Sequence, residues 1–383
     1  MMHRMEELLR QEFRSQFGLE PIMIGAPGRI NLIGEHTDYN DGFVMPCAIQ
    51  KRVFLAMALN QKNVFRCFSA ELGYNEFSAD ELKAGHEWFN YVMGVIHGFG
   101  TKGWDVGGFD LMVVSDLPTG AGLSSSAALC AGLAFGINHL NNYSLDRLEL
   151  ARIAQYAEHA FAGVRCGLMD QYASLFGEKD SAILLDCRSL THQYLPFHPE
   201  GYQLLLIHSR VSHHLAFSEY NNRREACESA VTMLMQRYFV TSLRDVTEEM
   251  LFTFRTQLGE ERFMRCLFVV QEIARTQRAA DDLRSGDWKN FGIKMFETHE
   301  GLSQAYQVSC PETDYLVDLA KASPAVLCAR MMGGGFGGCT LNLIASSEIN
   351  AFEQLVRKNY VAQFKKEPEF YQVTASEGVR LIA

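Results

Sequence analysis

The sequence is short of several things, and each shortage removes a class of protein. No apolar run approaches the ~20 residues that a membrane-spanning helix needs. The segment Met1 to Gln11 is charged and has no hydrophobic core, so no signal peptide is expected. Positive charge is in deficit: 35 Lys and Arg against 45 Asp and Glu leave a net charge of −10. A nucleic acid or an anionic membrane needs a basic face, so neither is expected as a partner. The ten cysteines contain no C-x-x-C pair, which leaves no zinc or thioredoxin-type motif. Cys130, Cys266 and Cys328 lie in apolar surroundings and read as small buried thiols. Unpaired cysteines of this kind fit a reducing, cytoplasmic setting.

Catalytic signatures are missing as well. There is no G-x-x-x-x-G-K-[ST], no H-R-D or D-F-G, no H-E-x-x-H and no G-x-S-x-G. P-loop NTPases, protein kinases, zinc proteases and α/β-hydrolases are thereby excluded. Two G-x-G-x-x-G matches exist, but a dinucleotide site must follow a strand and open a helix. Gly98/Gly100/Gly103 runs into Trp104-Asp105-Val106, and Gly333/Gly335/Gly338 runs into the strand-like Cys339 to Leu343. His213-His214 has no metal spacing and reads as a surface pair or a support to a site.

What is present is a chain of 383 residues, 48% hydrophobic and 21% charged. That length exceeds one typical core, so two domains are expected, divided near Pro196, Pro199 and Gly201 into 1–200 and 201–383. Helical spacing is clear over 3–16, 127–137, 146–161 and 348–360, and most of 218–322 reads as helix. Residues 111–114, 182–185, 203–207 and 339–344 read as strands, and Val53, Leu55, Met57 and Leu59 alternate as in a half-buried one.

Between the strand-like 111–114 and the helix-like 127–137 lies Pro118-Thr119-Gly120-Ala121-Gly122-Leu123-Ser124-Ser125-Ser126. Glycines bring backbone N–H groups close to a ligand, and a helix start adds unpaired donors and positive potential. Such a turn binds phosphate, although the serines equally suit helix capping. Upstream, residues 26–46 crowd Arg29, Asn31, Glu35, His36, Thr37, Asp38 and Tyr39 between glycines. So many different donors and acceptors suit a site that reads several hydroxyls, since each unpaired buried group costs ~1–3 kcal/mol. Gly163 to Gln171 then delivers Asp170 to the start of an apolar segment, where it serves either as a helix-end charge or as chemistry. Arg223 and Arg224, in the first turns of the acidic helix that begins Ser218-Glu219, read as ion-paired helix residues rather than as a phosphate site.

Three of these stretches together resemble the galactokinases, a branch of the GHMP small-molecule kinases. Ala26 to Pro46 is similar to the first signature of that branch, and Pro118 to Ala127 to the superfamily's ATP loop. Met332 to Cys339 is similar to the third motif, and the three follow the family's order from about Phe17 to about Cys339. The resemblance implies an α+β fold of two domains with the active site in the cleft between them. It implies ATP-dependent phosphorylation of α-D-galactose at C1, the entry to galactose metabolism, with Mg²⁺ as cofactor and ATP as co-substrate. Carried over residue by residue, Asp170 and Arg29 become catalytic. Glu35, His36, Thr37, Asp38, Gly167 and Tyr220 become sugar contacts. Gly120, Ala121, Gly122, Leu123, Ser124, Ser125 and Ser126 would hold ATP, and Ser126 with Glu158 the metal. The partners are then small molecules, and the chain is read as a monomer. A related kinase for N-acetylgalactosamine and a non-catalytic galactose and ATP sensor stand as alternatives. The chain departs from the family's usual pattern at Met45, Met332 and Arg165, none of which touches the implied chemistry.

Overall fold

The computed structural model describes residues 2–85, 87–118, 120–211 and 216–382; His213 and His214 lie outside the described residues. Helices pack on three sheets, an α+β arrangement. The first sheet has six strands in the order Arg380–Ile382, Ile22–Asn31, Pro46–Leu59, Phe109–Ser115, Val64–Ser69 and Gly73–Ser78. Phe109–Ser115 runs parallel to Val64–Ser69, and the other pairings are antiparallel.

Pro46–Leu59 is buried on both faces rather than half-buried as its alternation suggests. Phe54, Ala56 and Ala58 meet Leu9 and Phe13 of the helix Met2–Phe17. Val53, Leu55 and Met57 point to the opposite side and join the main core. There the helix Ser125–Leu140 lies against the sheet at glycine contacts: a β-carbon on Gly132 would sit 2.7 Å from Ala26 Cβ, and one on Gly136 would sit 2.5 Å from Met57 Sδ. This close approach fixes the start of that helix relative to Ile22–Asn31, which carries Arg29.

A second sheet of four strands, Val326–Met331, Cys339–Ala345, Tyr202–His208 and Glu369–Val373, anchors the other half. Helices from Ala216–Leu234 to Pro311–Lys321 fill the sequence between its first two strands in chain order, as the helical spacing of 218–322 predicts. The sequence-read helices and strands appear at Arg147–Phe161, Ile349–Phe364, Ser181–Asp186 and Cys339–Ala345. The chain end crosses back: Ala375 bridges Ile49, and Arg380–Ile382 pairs with Ile22–Asn31. All ten cysteines are free, with Cys130, Cys266 and Cys328 fully buried. Among the described residues, no helix is long and apolar enough to cross a membrane.

Candidate active site

Gly120 and Gly122 both have φ of +73°, a region that glycine enters without steric cost. Ser124 follows with φ 57° and ψ 51°, left-handed for a residue with a side chain, and the helix begins at Ser125. Its hydroxyl makes no cap bond to the helix and donates instead to Asp170 Oδ2. The loop is tied to the Arg29 strand by Arg29 N–H to Leu123 O at 3.1 Å and by Arg29 Nη1 to Gly122 O at 2.6 Å.

Arg29, nearly buried, grips Asp170 with two parallel bonds, Nε to Oδ1 at 2.7 Å and Nη2 to Oδ2 at 2.8 Å. This is the bidentate guanidinium–carboxylate geometry that sets orientation as well as charge. Asp170 sits in the first turn of the short helix Met169–Phe176.

Glu158, near the end of Arg147–Phe161, accepts from Ser126 Oγ at 2.6 Å and from Gln171 Nε2. Burial pushes its carboxyl up to about 7, partly opposed by the Ser126 bond. A buried carboxylate next to a hydroxyl at a glycine-rich loop and helix start fits Mg²⁺, which takes few protein ligands and completes its shell with phosphate oxygens and water.

The sugar-signature residues fall into two groups. His36 and Asp38 line the cleft with Arg29, Asp170 and Tyr220. Glu35 lines it too, yet its Oε1 accepts from Arg330 Nη1 and Nη2, each at 3.0 Å, and from Gly333 N–H at 2.8 Å. Thr37 is fully buried, donating to Gly34 O at 2.9 Å and to Phe43 O at 2.7 Å, so its side chain holds the turn. Gly167 also stays off the cleft wall and acts on a neighbour: a β-carbon there would be 2.0 Å from Asp38 Oδ2. Burial raises the Asp38 carboxyl to about 7, helped by the charge of Asp170. Burial first, then Arg223, lowers the His36 imidazole to about 3, so it is neutral.

Gly120 to Ser126, Asp170, Glu158 and the third glycine stretch share one cleft of about 730 Å³, whose walls come from both halves of the chain. Arg223 pairs with Glu219 at 2.9 Å and Arg224 with Glu228 at 2.8 Å, as their acidic neighbours predict.

Two supports escaped the sequence reading. Arg330, fully buried, bonds Leu32 O at 2.7 Å and Asn31 O as well as Glu35. Glu272, fully buried, accepts from Gly34 N–H at 2.9 Å, from Thr298 and from Arg275. Both reach the signature across more than two hundred residues of sequence, where no local pattern marks them.

Known proteins are similar to this chain in sequence and fold. Family models match residues 11–59 (galactokinase galactose-binding signature), 90–178 (GHMP kinases N terminal domain) and 279–362 (GHMP kinases C terminal). A galactokinase of Thermotoga neapolitana is 41% identical over 362 residues, 94% of this chain and 99% of that protein. One from Roseiflexus sp. is 40% identical over 375 residues, covering 97% and 96%. The crystal structure of Lactococcus lactis galactokinase complexed with galactose matches with a TM-score of 0.94 at 33% identity, over 98% of this chain and 99% of that one. Methanococcus jannaschii mevalonate kinase, 15% identical with a TM-score of 0.63 over 94% of this chain and 99% of that one, shares the fold.

Proposed function

The chain belongs to the galactokinase family of GHMP kinases, and from that premise we propose that it transfers the γ-phosphoryl group of ATP to the C1 hydroxyl of α-D-galactose. The products are galactose 1-phosphate and ADP, the first step of galactose breakdown. The observation that carries this reading is the Arg29–Asp170 pair, set between the phosphate loop and the sugar-signature residues in one cleft.

In this reading the C1 oxygen forms its bond to the γ-phosphorus as the bond from that phosphorus to the bridging β-oxygen breaks. The hydroxyl proton passes to the Asp170 carboxylate. Phosphoryl transfer has a loose transition state, so positioning and charge compensation supply most of the rate. Arg29 and Ser124 hold Asp170 in one orientation, and Arg29 adds positive charge beside the transferring group. Backbone N–H groups of Gly120 to Ser126 cradle the ATP phosphates. Ser126 and Glu158 would hold Mg²⁺, which offsets phosphate charge when bound. His36, Asp38, Tyr220 and the Oε2 of Glu35 would meet sugar hydroxyls, with Thr37 and Gly167 shaping the turn and the space behind them.

The same reading divides the chain at about residue 200, with 375–382 returning to the first half. It has the protein act as a monomer and in the cytoplasm, the latter consistent with ten free cysteines. ADP release with Mg²⁺ and ATP, compared across galactose, glucose, N-acetylgalactosamine and no sugar, tests it. Release with galactose is expected; release with another sugar alone would overturn the substrate, and galactose binding without release would overturn the reaction.

A further inference from the structure

Arg165 departs from the galactokinase pattern and has no part in the chemistry proposed above, yet it stands where the two halves of the chain meet. It belongs to the segment 162–168, which joins the helices Arg147–Phe161 and Met169–Phe176. That segment is held from both sides. From the first half, Val164 N–H bonds Glu158 O at 3.1 Å, and Cys166 O accepts from His159 Nε2 at 2.7 Å and from Gln155 Nε2 at 3.2 Å. From the second half, the first turns of Ala216–Leu234 bond its main chain at three points. Asn221 Oδ1 accepts from Arg165 N–H and Asn221 Nδ2 donates to Gly163 O, each at 3.3 Å. Arg224 Nη1 donates to Arg165 O at 2.7 Å.

The Arg165 side chain returns the contact. Its Nη2 reaches both oxygens of Glu228, at 2.9 and 3.0 Å, and its Nη1 reaches Glu225 at 3.3 Å. Glu228 also accepts from Arg224 Nε at 2.8 Å, so one carboxylate joins the two arginines. The Arg165 pairs are about half exposed and contribute little singly. Arg224 is better buried, and its bond to a main-chain carbonyl comes from an ionised donor, roughly twice as strong as a neutral one. Both ends of this contact bear on the sugar side of the cleft. Two residues after Arg165, Gly167 faces Asp38 so closely that a β-carbon would not fit. On the helix, Tyr220 precedes Asn221 and lines the cleft. Arg224 lies over the Tyr39 ring, 5.8 Å from its centroid, and Tyr39 packs on Tyr220 with centroids 5.5 Å apart. A shift between segment and helix therefore moves Asp38 relative to Tyr220.

We propose that Asn221 and Arg224, joined through Glu228 to Arg165, form a clasp between the two halves that sets the spacing of Asp38 and Tyr220 across the sugar end of the cleft. This rests on the galactose reading above. Arg165, Asn221 and Arg224 are positioning residues: none of them lines the cleft, and they act through Gly167, Asp38 and Tyr220. A wall already held in place need not be ordered when the sugar binds, so the clasp is felt as sugar affinity. The glycine-rich loop is tied separately, to Arg29, and stays outside its influence.

The test combines kinetics and hydrogen exchange on the full-length protein. Arg224→Gln removes the charged donor, and Asn221→Ala removes the paired side-chain contact. In each variant, exchange read by mass spectrometry should speed up in the peptide covering 162–168. KM for galactose should rise about tenfold, the worth of roughly one hydrogen bond, with KM for ATP unchanged and kcat moving far less. Arg165→Ala keeps the main-chain bonds, so galactose KM should rise only about two- to threefold at low salt. In about 0.5 M salt, where the screening length is a few ångströms, it should match wild type. An unchanged galactose KM in Arg224→Gln, or an equal rise in both KM values, overturns the clasp. A wild type that does not turn over galactose overturns the substrate reading instead. Hydrogen exchange then still decides on the clasp, and unchanged exchange over 162–168 in Arg224→Gln overturns it.

Discussion

Arg29 holds both oxygens of Asp170, at 2.7 and 2.8 Å, while its third nitrogen reaches the backbone of the glycine-rich loop at Gly122 O. One guanidinium therefore sets the distance between the carboxylate and the glycine-rich loop.

Asp170→Asn keeps the shape of that site but replaces one guanidinium acceptor by an NH₂ and removes the carboxylate proposed to take the proton. A positioned general base contributes about 10²–10⁴-fold. Turnover should fall by at least that much, while calorimetry should still find galactose binding within a few fold of wild type.

Gly167→Ala puts a β-carbon where Asp38 Oδ2 stands, 2.0 Å away, so the Asp38 side chain must move. Steady-state kinetics should show galactose KM rising about 10- to 100-fold, the cost of one displaced hydrogen-bonding group at ~1–3 kcal/mol. KM for ATP should stay close to wild type.

These positions differ in how plainly the sequence marks them. The glycine-serine loop, Asp170 and Glu158 lie in short stretches that the sequence singles out, and the elements that carry them fold close to where periodicity puts them. The strand Ile22–Asn31 was hidden, because Arg29 and Asn31 make its end look like a polar turn although both side chains are buried. Burial of Pro46–Leu59 on both faces depends on which helices cover it, which alternation alone does not encode. Arg330, Glu272 and Tyr306 meet the signature through tertiary contacts, and only the folded chain brings them there.

Asp38 carries a pH signature in the unliganded protein. Burial raises its carboxyl from 3.8 to about 7, so the folded state binds this proton more tightly than the unfolded state does. Folding takes up the proton within that window, and the contribution of Asp38 to stability falls as pH rises through it. Asp38→Asn should therefore raise stability above pH 7 by on the order of 1 kcal/mol or more, read as a higher melting temperature. That gain should disappear as pH falls toward 4. Calorimetric scans of both proteins over this range check the sign, and a gain that grows at low pH would refute it.

Arg330 is the fully buried partner of Glu35 and of two backbone carbonyls of the sugar signature. Removing one member of a buried pair leaves an uncompensated charge, at a cost of about 3–5 kcal/mol. Arg330→Met should lower denaturant stability by about that amount. Surface pairs such as Arg14–Glu20, half exposed on both sides, should contribute little when broken.

The central claim is a bond between the C1 oxygen of galactose and the γ-phosphorus of ATP, and product NMR reads that bond directly. After incubation with galactose, ATP and Mg²⁺, the account predicts a single sugar phosphate whose anomeric carbon is split by phosphorus. Coupling at C6, or ADP formed with no phosphorylated sugar, would contradict it.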